Sequence, residues 1–165
     1  MSLPKKPLKR HSALKDLSRD HQKMIKQARS LRWVASSDSR AAPLAEVLDT
    51  LQALWTAEIM PHFREEEEIL IPFCLARDGT FRPLARQIGN DHAWLRDHFP
   101  QLNADNLPLL AIFGRSLHDH VRFEERVVYE HVQAMLAPAD INTLGLKLRQ
   151  FRIQHRIPNP RRGGR

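Results

Sequence analysis

Residues 43–76 read PLAEVLDTLQALWTAEIMPHFREEEEILIPFCLA, and the fold turns on how that stretch is parsed. Apolar side chains recur at intervals of three and four at Leu44, Leu48, Leu51, Trp55 and Ile59, and again at Ile69 and Phe73. That spacing marks the buried stripe of an α-helix. Between Ile59 and Ile69 the stripe is carried by His62 and Glu66. The period therefore aims an imidazole and a carboxylate into the core.

The same replacement occurs three more times. One stripe runs Phe113, Leu117, His120, Glu124, Val127. Another runs Leu14, Leu17, His21, Met24, Ala28, Leu31, and the last Ala85, Ile88, His92, Leu95, Phe99, Leu102. The two His-x3-Glu pairs read HFREE (62–66) and HVRFE (120–124), and each single histidine sits in an Asp-His dipeptide, Asp20-His21 and Asp91-His92. One pattern is thus written twice along the chain.

Burying such groups unpaired costs several kcal/mol each, on the order of the penalty for an isolated ion after relaxation. A metal ion removes the penalty, because coordination satisfies the ligands. The spacing suits it: residues i and i+4 lie on one helical face about 5–6 Å apart. A lone buried histidine is ordinarily a hydrogen-bonded core residue. Six polar residues on four stripes (His21, His62, Glu66, His92, His120 and Glu124) point instead to metal. His11, His98, His118 and His155 lack that placement and read as surface residues, and His131 as a partly buried residue near a bundle end. Glu65, Glu67 and Glu68 read as a solvated face. Asp20, Asp91 and Asp119 read as solvent-facing charge, with an orienting hydrogen bond to a neighbouring imidazole as their other use. Cys74 reads as a small core residue.

The chain has 165 residues, enough for one domain with a real core, and is 42% hydrophobic. No apolar run approaches the roughly 18–20 residues of a membrane span. The opening MSLPKKPLKR is basic without a following apolar segment, so no secretory signal is expected. One cysteine rules out an intrachain disulfide and fits a reducing, cytoplasmic setting. Net charge is +7, with much of the excess in Lys5, Lys6, Lys9 and Arg10 at one end and Arg156, Arg161, Arg162 and Arg165 at the other. These ends, 1–10 and 155–165, read as a basic arm and a basic disordered tail around a domain over 11–154. No nucleic-acid motif or interleaved aromatic residue gives the charge a nucleic-acid partner.

Five helices are predicted, over about 12–36, 43–76, 80–103, 107–136 and 138–154. Pro43 suits a helix start and Gly79 a helix end. Glu66 lies thirteen residues before Gly79 and His92 thirteen after it, while Asn106 stands fourteen from both His92 and His120. In an antiparallel up-down-up-down bundle, equal counts to a turn put residues at equal height. The all-α architecture expected is that four-helix bundle plus a short C-terminal fifth helix. Pro61, just before His62, should bend the second helix. The fifth helix has its own stripe, Ile141, Leu144, Leu148 and Phe151, which can cap the bundle or form a homodimer contact.

Over roughly 11–136 the sequence resembles the hemerythrin-like, HHE cation-binding family, on a single histidine in helix 1, HFREE, Asp91-His92 and HVRFEE. The resemblance implies a bundle holding a non-haem di-iron centre, two iron ions with an oxo bridge open to them, and manganese or zinc as other occupants. His21, His62, His92 and His120 would be terminal ligands, and Glu66 and Glu124 would bridge. Oxygen-carrying members place another histidine four residues after the helix-3 histidine, where this chain has Arg96, and an aspartate five after the helix-4 histidine, where it has Glu125. Four histidines and two glutamates are closer to the family's iron–sulfur repair and nitric-oxide-related members. Those repair proteins carry a cysteine-bearing N-terminal domain that is not expected here. The implied function is binding, sensing or handling of iron or of a small diatomic ligand, O2 or NO. The alternative is an enzyme reducing oxygen, peroxide or nitric oxide, or supporting iron–sulfur repair. A metal-free helical interaction protein would lack bound metal and tolerate alanine at His62 or His120.

Overall fold

A computed structural model describes residues 9–155; positions 1–8 of the expected arm and 156–165 of the expected tail lie outside the described residues. Helix α1 is Lys15–Ala35, entered through a 3-10 turn at Ser12–Leu14 whose first free amide, Ala13 N–H, donates to the His11 ring. Ser37, at φ 55°, takes the chain out of α1. Helix α2 covers 44–75 and α4 covers 107–135, both as continuous rods. Between them α3 is Arg82–His98, and α5 is Pro138–His155. All five predicted helices are present. Asn106 caps α4 by accepting from Leu109 N–H, with Pro108 in the first turn where no amide is needed.

Gly79 does not end α2, which stops at Leu75; the glycine instead opens a 3-10 turn, Gly79–Phe81, capped by Asp78 accepting from Thr80 N–H. Among the described residues no glycine has a positive φ, so the left-handed cap expected there is not used.

Pro61 does not break α2. The preceding turn, Trp55–Ile59, widens into a π-turn in which Met60 N–H reaches back to Trp55 O. That widening makes room for the proline ring against the carbonyl it would otherwise strike. Pro72 is preceded by a similar π-turn, Glu66–Leu70. A third lies in α4 at Glu124–Val128, with no proline behind it. Two of the three thus begin at Glu66 and Glu124. Each fits one extra residue into a turn, so the buried face passes from Glu66 to Leu70 and from Glu124 to Val128. The expected stripe positions one residue earlier lose their place: Ile69 is only partly buried, and Val127 is 43% exposed.

Apart from those slips the four stripes face inward, fully buried for the most part and partly buried at Leu44, Leu48, Ala85, Phe99 and Leu102. They build two apolar clusters at opposite ends of the bundle. One contains Leu17, Leu70, Phe73, Phe81, Val128 and Tyr129, and the other Met24, Trp55, Phe63, Leu95, Phe113 and Leu117. Helix α1 runs closely along α4, and Gly114 is what permits the approach: a Cβ there would stand 2.8 Å from the Ala28 carbonyl oxygen. Helix α5 lies across the bundle on the 12–14 turn and the middle of α2. Gly145 lets it down, since a Cβ there would meet Ala13 Cβ at 2.9 Å. Ile141, Leu144, Leu148 and Phe151 are buried in this contact, so the stripe caps the bundle within the chain and is not free to form a dimer.

Candidate metal centre

Between the two apolar clusters lies one polar layer. Its members are the six residues picked out by periodicity, each at most 2% exposed: His21 from α1, His62 and Glu66 from α2, His92 from α3, His120 and Glu124 from α4. They form two overlapping groups with ligand atoms within 4.8 Å of one another: His21, His62, Glu66, Glu124, and Glu66, His92, His120, Glu124. Both glutamates belong to both groups.

The ring nitrogens face each other in pairs. His21 Nε2 is 3.1 Å from His62 Nε2, and His92 Nε2 is 3.2 Å from His120 Nε2. Two imidazoles on one ion at ~2.1 Å stand about 3.0 Å apart at a right angle and about 3.4 Å apart in a tetrahedron. The pairs fall in that range. The carboxylates meet them from the middle. Glu66 Oε2 is 3.5 Å from His62 Nε2 and 3.4 Å from His92 Nε2. Glu124 divides its oxygens, Oε2 at 3.0 Å from His21 Nε2 and Oε1 at 3.3 Å from His120 Nε2.

Every imidazole has a carboxylate on its other nitrogen. Glu125 takes His21 Nδ1 at 2.7 Å, Asp20 takes His62 at 3.1 Å, Glu67 takes His92 at 2.8 Å and Asp91 takes His120 at 3.3 Å. A proton held on Nδ1 by such a partner leaves the Nε2 lone pair free and aimed inward. Facing lone pairs cannot hydrogen-bond each other. Glu66 Oε2 and both Glu124 oxygens are likewise buried without hydrogen-bond partners. Three orphaned carboxylate oxygens and four inward imidazole nitrogens are a donor set that fits a pair of cations, and imidazole with carboxylate suits iron, manganese or zinc.

Without metal the layer must hold protons instead. Burial alone would lower the His21 pKa, but the carboxylates of Glu124 and Glu125 beside its two ring nitrogens outweigh it and raise it to about 10. His92 is raised to about 9 by Glu66 and Glu67 against the same burial. Burial works to raise Glu67 and Glu125, yet their bonds to His92 and His21 bring both down to about 2. Glu66 is pulled well below the usual carboxylate range, chiefly by His62, although it is fully buried.

Several of these partners correct the sequence expectation. Asp20 and Asp91 orient imidazoles across the helix interface; of the three Asp residues, only Asp119 faces solvent. Glu67 is half-buried, bonded to His92 and gripped by Arg96 at 2.7 and 2.9 Å. Arg96, at the position where oxygen carriers have a ligand, thus supports the partner of His92. Glu65 is fully buried rather than solvated, in a two-point pair with Arg152 of α5 at 2.8 and 2.6 Å. Glu68 is exposed as expected. Tyr129 was missed as well: its hydroxyl donates to Glu66 Oε1 at 2.7 Å and its ring stacks on His21. The signal for Glu67 and Glu125 was present, since the doubled glutamates at 66–67 and 124–125 repeat as faithfully as the His-x3-Glu pairs. For Arg152 there was none.

His11, His98, His118 and His155 lie outside the cluster, and His131 sits half-buried beside Phe81. Among the described residues no helix is long and apolar enough to cross a membrane.

No curated protein and no solved structure matches the chain. The family model of the hemerythrin HHE cation-binding domain does, over residues 12–132, a span that takes in every one of the six clustered side chains. The chain belongs to the hemerythrin HHE cation-binding domain family, and its activity is the binding of cations.

Proposed function

We propose that the polar layer holds two iron ions, one among His21, His62, Glu66 and Glu124 and the other among His92, His120, Glu66 and Glu124, and that the protein binds, senses or handles iron or a small diatomic ligand such as O2 or NO. The observation that carries this reading is the convergence of four inward Nε2 atoms on buried carboxylate oxygens that have no other partner. The histidines and glutamates bind; Asp20, Glu67, Asp91 and Glu125 hold the Nδ1 protons; Tyr129 fixes the rotation of Glu66. Phe63, stacked on His92 at 3.8 Å, helps exclude water. Two imidazoles and shared carboxylates leave positions open on ions that prefer five or six donors, which supplies a seat for a small ligand. A cytoplasmic setting accords with a single cysteine, Cys74, that is itself buried.

Elemental analysis of protein purified without chelator, read with its visible spectrum, tests this. About two irons per chain are expected. Zinc alone would remove the redox part of the reading. No metal after anaerobic reconstitution with ferrous iron would overturn it.

A second reading, an enzyme that reduces oxygen, peroxide or nitric oxide at the same centre, is supported by a hollow of about 520 Å³ that reaches His120 from outside. It requires catalytic consumption of the ligand by the loaded protein, lost in Glu66→Ala. Ligand binding without turnover would dismiss it.

A further inference from the structure

The repeat relates the α1–α2 half of the polar layer to the α3–α4 half, yet one equivalent pair is built differently. Asp20 orients His62, and Asp91 orients His120. The Asp20 side chain is 8% exposed and its Oδ2 accepts from Arg152 Nη2 at 2.6 Å. Arg152 is in turn held by Glu65, which has no solvent exposure at all. Two bonds of 2.8 and 2.6 Å fix the Arg152 guanidinium on the Glu65 carboxyl. So His62 is backed by a buried chain, His62 to Asp20 to Arg152 to Glu65, whose arginine comes from α5.

Among the described residues His120 has no counterpart to that chain. The Asp91 side chain is 25% exposed, its bond to His120 is longer at 3.3 Å, and among those residues its other oxygen accepts only from the exposed Gln87. Asp91 and His120 both line the 520 Å³ hollow, together with Gln87, Trp94, Ser116 and Asp119. A hollow of about 290 Å³ also exists on the α5 side, but it ends on Glu65 and Arg152, and none of the six ligand candidates lines it. One side of the layer is therefore plugged by a salt-bridged pair, while the other opens beside a ligand.

We propose that the two metal positions are unequal: the ion between His21 and His62 is retained behind Arg152, and the ion between His92 and His120 exchanges with solvent through the α3–α4 hollow. This rests on the two-metal reading above. Arg152 is a positioning residue, acting on the ion through Asp20 and the His62 ring. Outer partners of metal-bound histidines typically change affinity about 10–100-fold when removed.

The test uses the full chain loaded anaerobically with two ferrous ions, then mixed with excess ferrous chelator and followed by the colour of the chelate. Release is expected in two phases of equal amplitude, with rates at least about tenfold apart. Arg152→Met should speed the slow phase by about 10–100-fold and leave the fast phase alone. Arg152→Lys should recover only part of the difference, because a lysine cannot span Glu65 and Asp20 as the planar guanidinium does. Ser116→Trp, which fills the hollow, should slow the fast phase only. If Arg152→Met does not fold, Asp20→Asn cuts the same chain and reads the same phase. A single release phase from protein shown to hold two ions would overturn the inequality. So would an equal acceleration of both phases in Arg152→Met or Asp20→Asn, the mark of general loosening. A chain that holds fewer than two ions fails earlier, at the loading step, and takes down the two-metal reading itself.

Discussion

Two kinds of layer share the interior of this bundle. At one end Trp55, Phe63, Phe113 and Leu117 pack ring against ring and methyl against ring, with Trp55 stacked on Phe99 at 4.1 Å. A few ångströms along the same helices, His62, Glu66, His92 and Glu124 are as deeply buried, but they touch through lone pairs and charges. The apolar layers gain from burial itself, whatever else is bound. The polar layer gains only when something satisfies it, a metal ion or protons. The same helical period serves both, so the fold treats the polar layer as one more slice of core while its energetics depend on the solution.

Four measurements sharpen that contrast. The largest effect belongs to an apolar layer: Phe113→Ala, at a fully buried ring, should cost about 3–5 kcal/mol in denaturant unfolding, with and without metal. An equal cost in a partly collapsed variant core would show up as a changed m-value rather than a shifted midpoint alone. Next comes the polar layer. At ten times Kd each ion should add about 1.4 kcal/mol of stability, and Glu66→Ala, which removes a carboxylate shared by both positions, should abolish that gain. A metal-dependent rise in melting temperature that survives Glu66→Ala would put the ions elsewhere.

The third measurement concerns pH in the metal-free protein. His21 and His92 are raised to about 10 and about 9, so their contribution is complete below their ordinary value of 6.5 and is lost as pH rises through 9 to 10. Glu67 and Glu125 are lowered to about 2, so theirs is complete above 4.5 and is lost as pH falls through 2. Melting temperature should therefore be highest between about pH 4.5 and 6.5 and decline on the alkaline side. Bound metal should flatten that decline, because the inward nitrogens then carry no proton. An alkaline decline of the same size with metal bound would speak against the imidazoles as ligands.

The smallest effect returns to packing. Gly114→Ala drives a methyl group against the Ala28 carbonyl between α1 and α4, at a cost of about 1–3 kcal/mol, partly offset by about 1 kcal/mol of helix propensity. A stabilised Gly114→Ala would mean that α1 and α4 separate freely.

The six clustered side chains were legible in the sequence because a polar residue on an apolar stripe contradicts its surroundings. His62 and Glu66 stand where leucine belongs, and nothing but the period is needed to notice it. The residues around them were not legible in that way. Asp20 neighbours His21 in the chain yet serves His62 on another helix, and Glu125 neighbours Glu124 yet serves His21. Adjacent positions point about 100° apart on a helix, so from one stripe each looked like the start of the solvent side. The crossing between helices turns that side inward. Glu65 was beyond reach for a further reason: its partner Arg152 is 87 positions away on a helix laid across the bundle, and no local period encodes where that helix lands. Val127 and Ile69 were misplaced by one residue because a straight 3.6-residue period does not foresee a π-turn.

Those π-turns also set how the chain can vary in length. Each of 66–70 and 124–128 contains one residue more than a regular rod would need. Deleting one there would restore an ordinary helix and leave the later core positions, such as Val128, Val132 and Leu136, on the same face. An added or deleted residue in the 36–43 connection would likewise change only the span of a surface loop. Elsewhere in α2 or α4 a deletion would swing everything downstream by about 100°, so length variation should be tolerated between the helices and at these two turns and refused along the regular stretches, which makes Glu66 and Glu124 the places where the count along a helix can change by one.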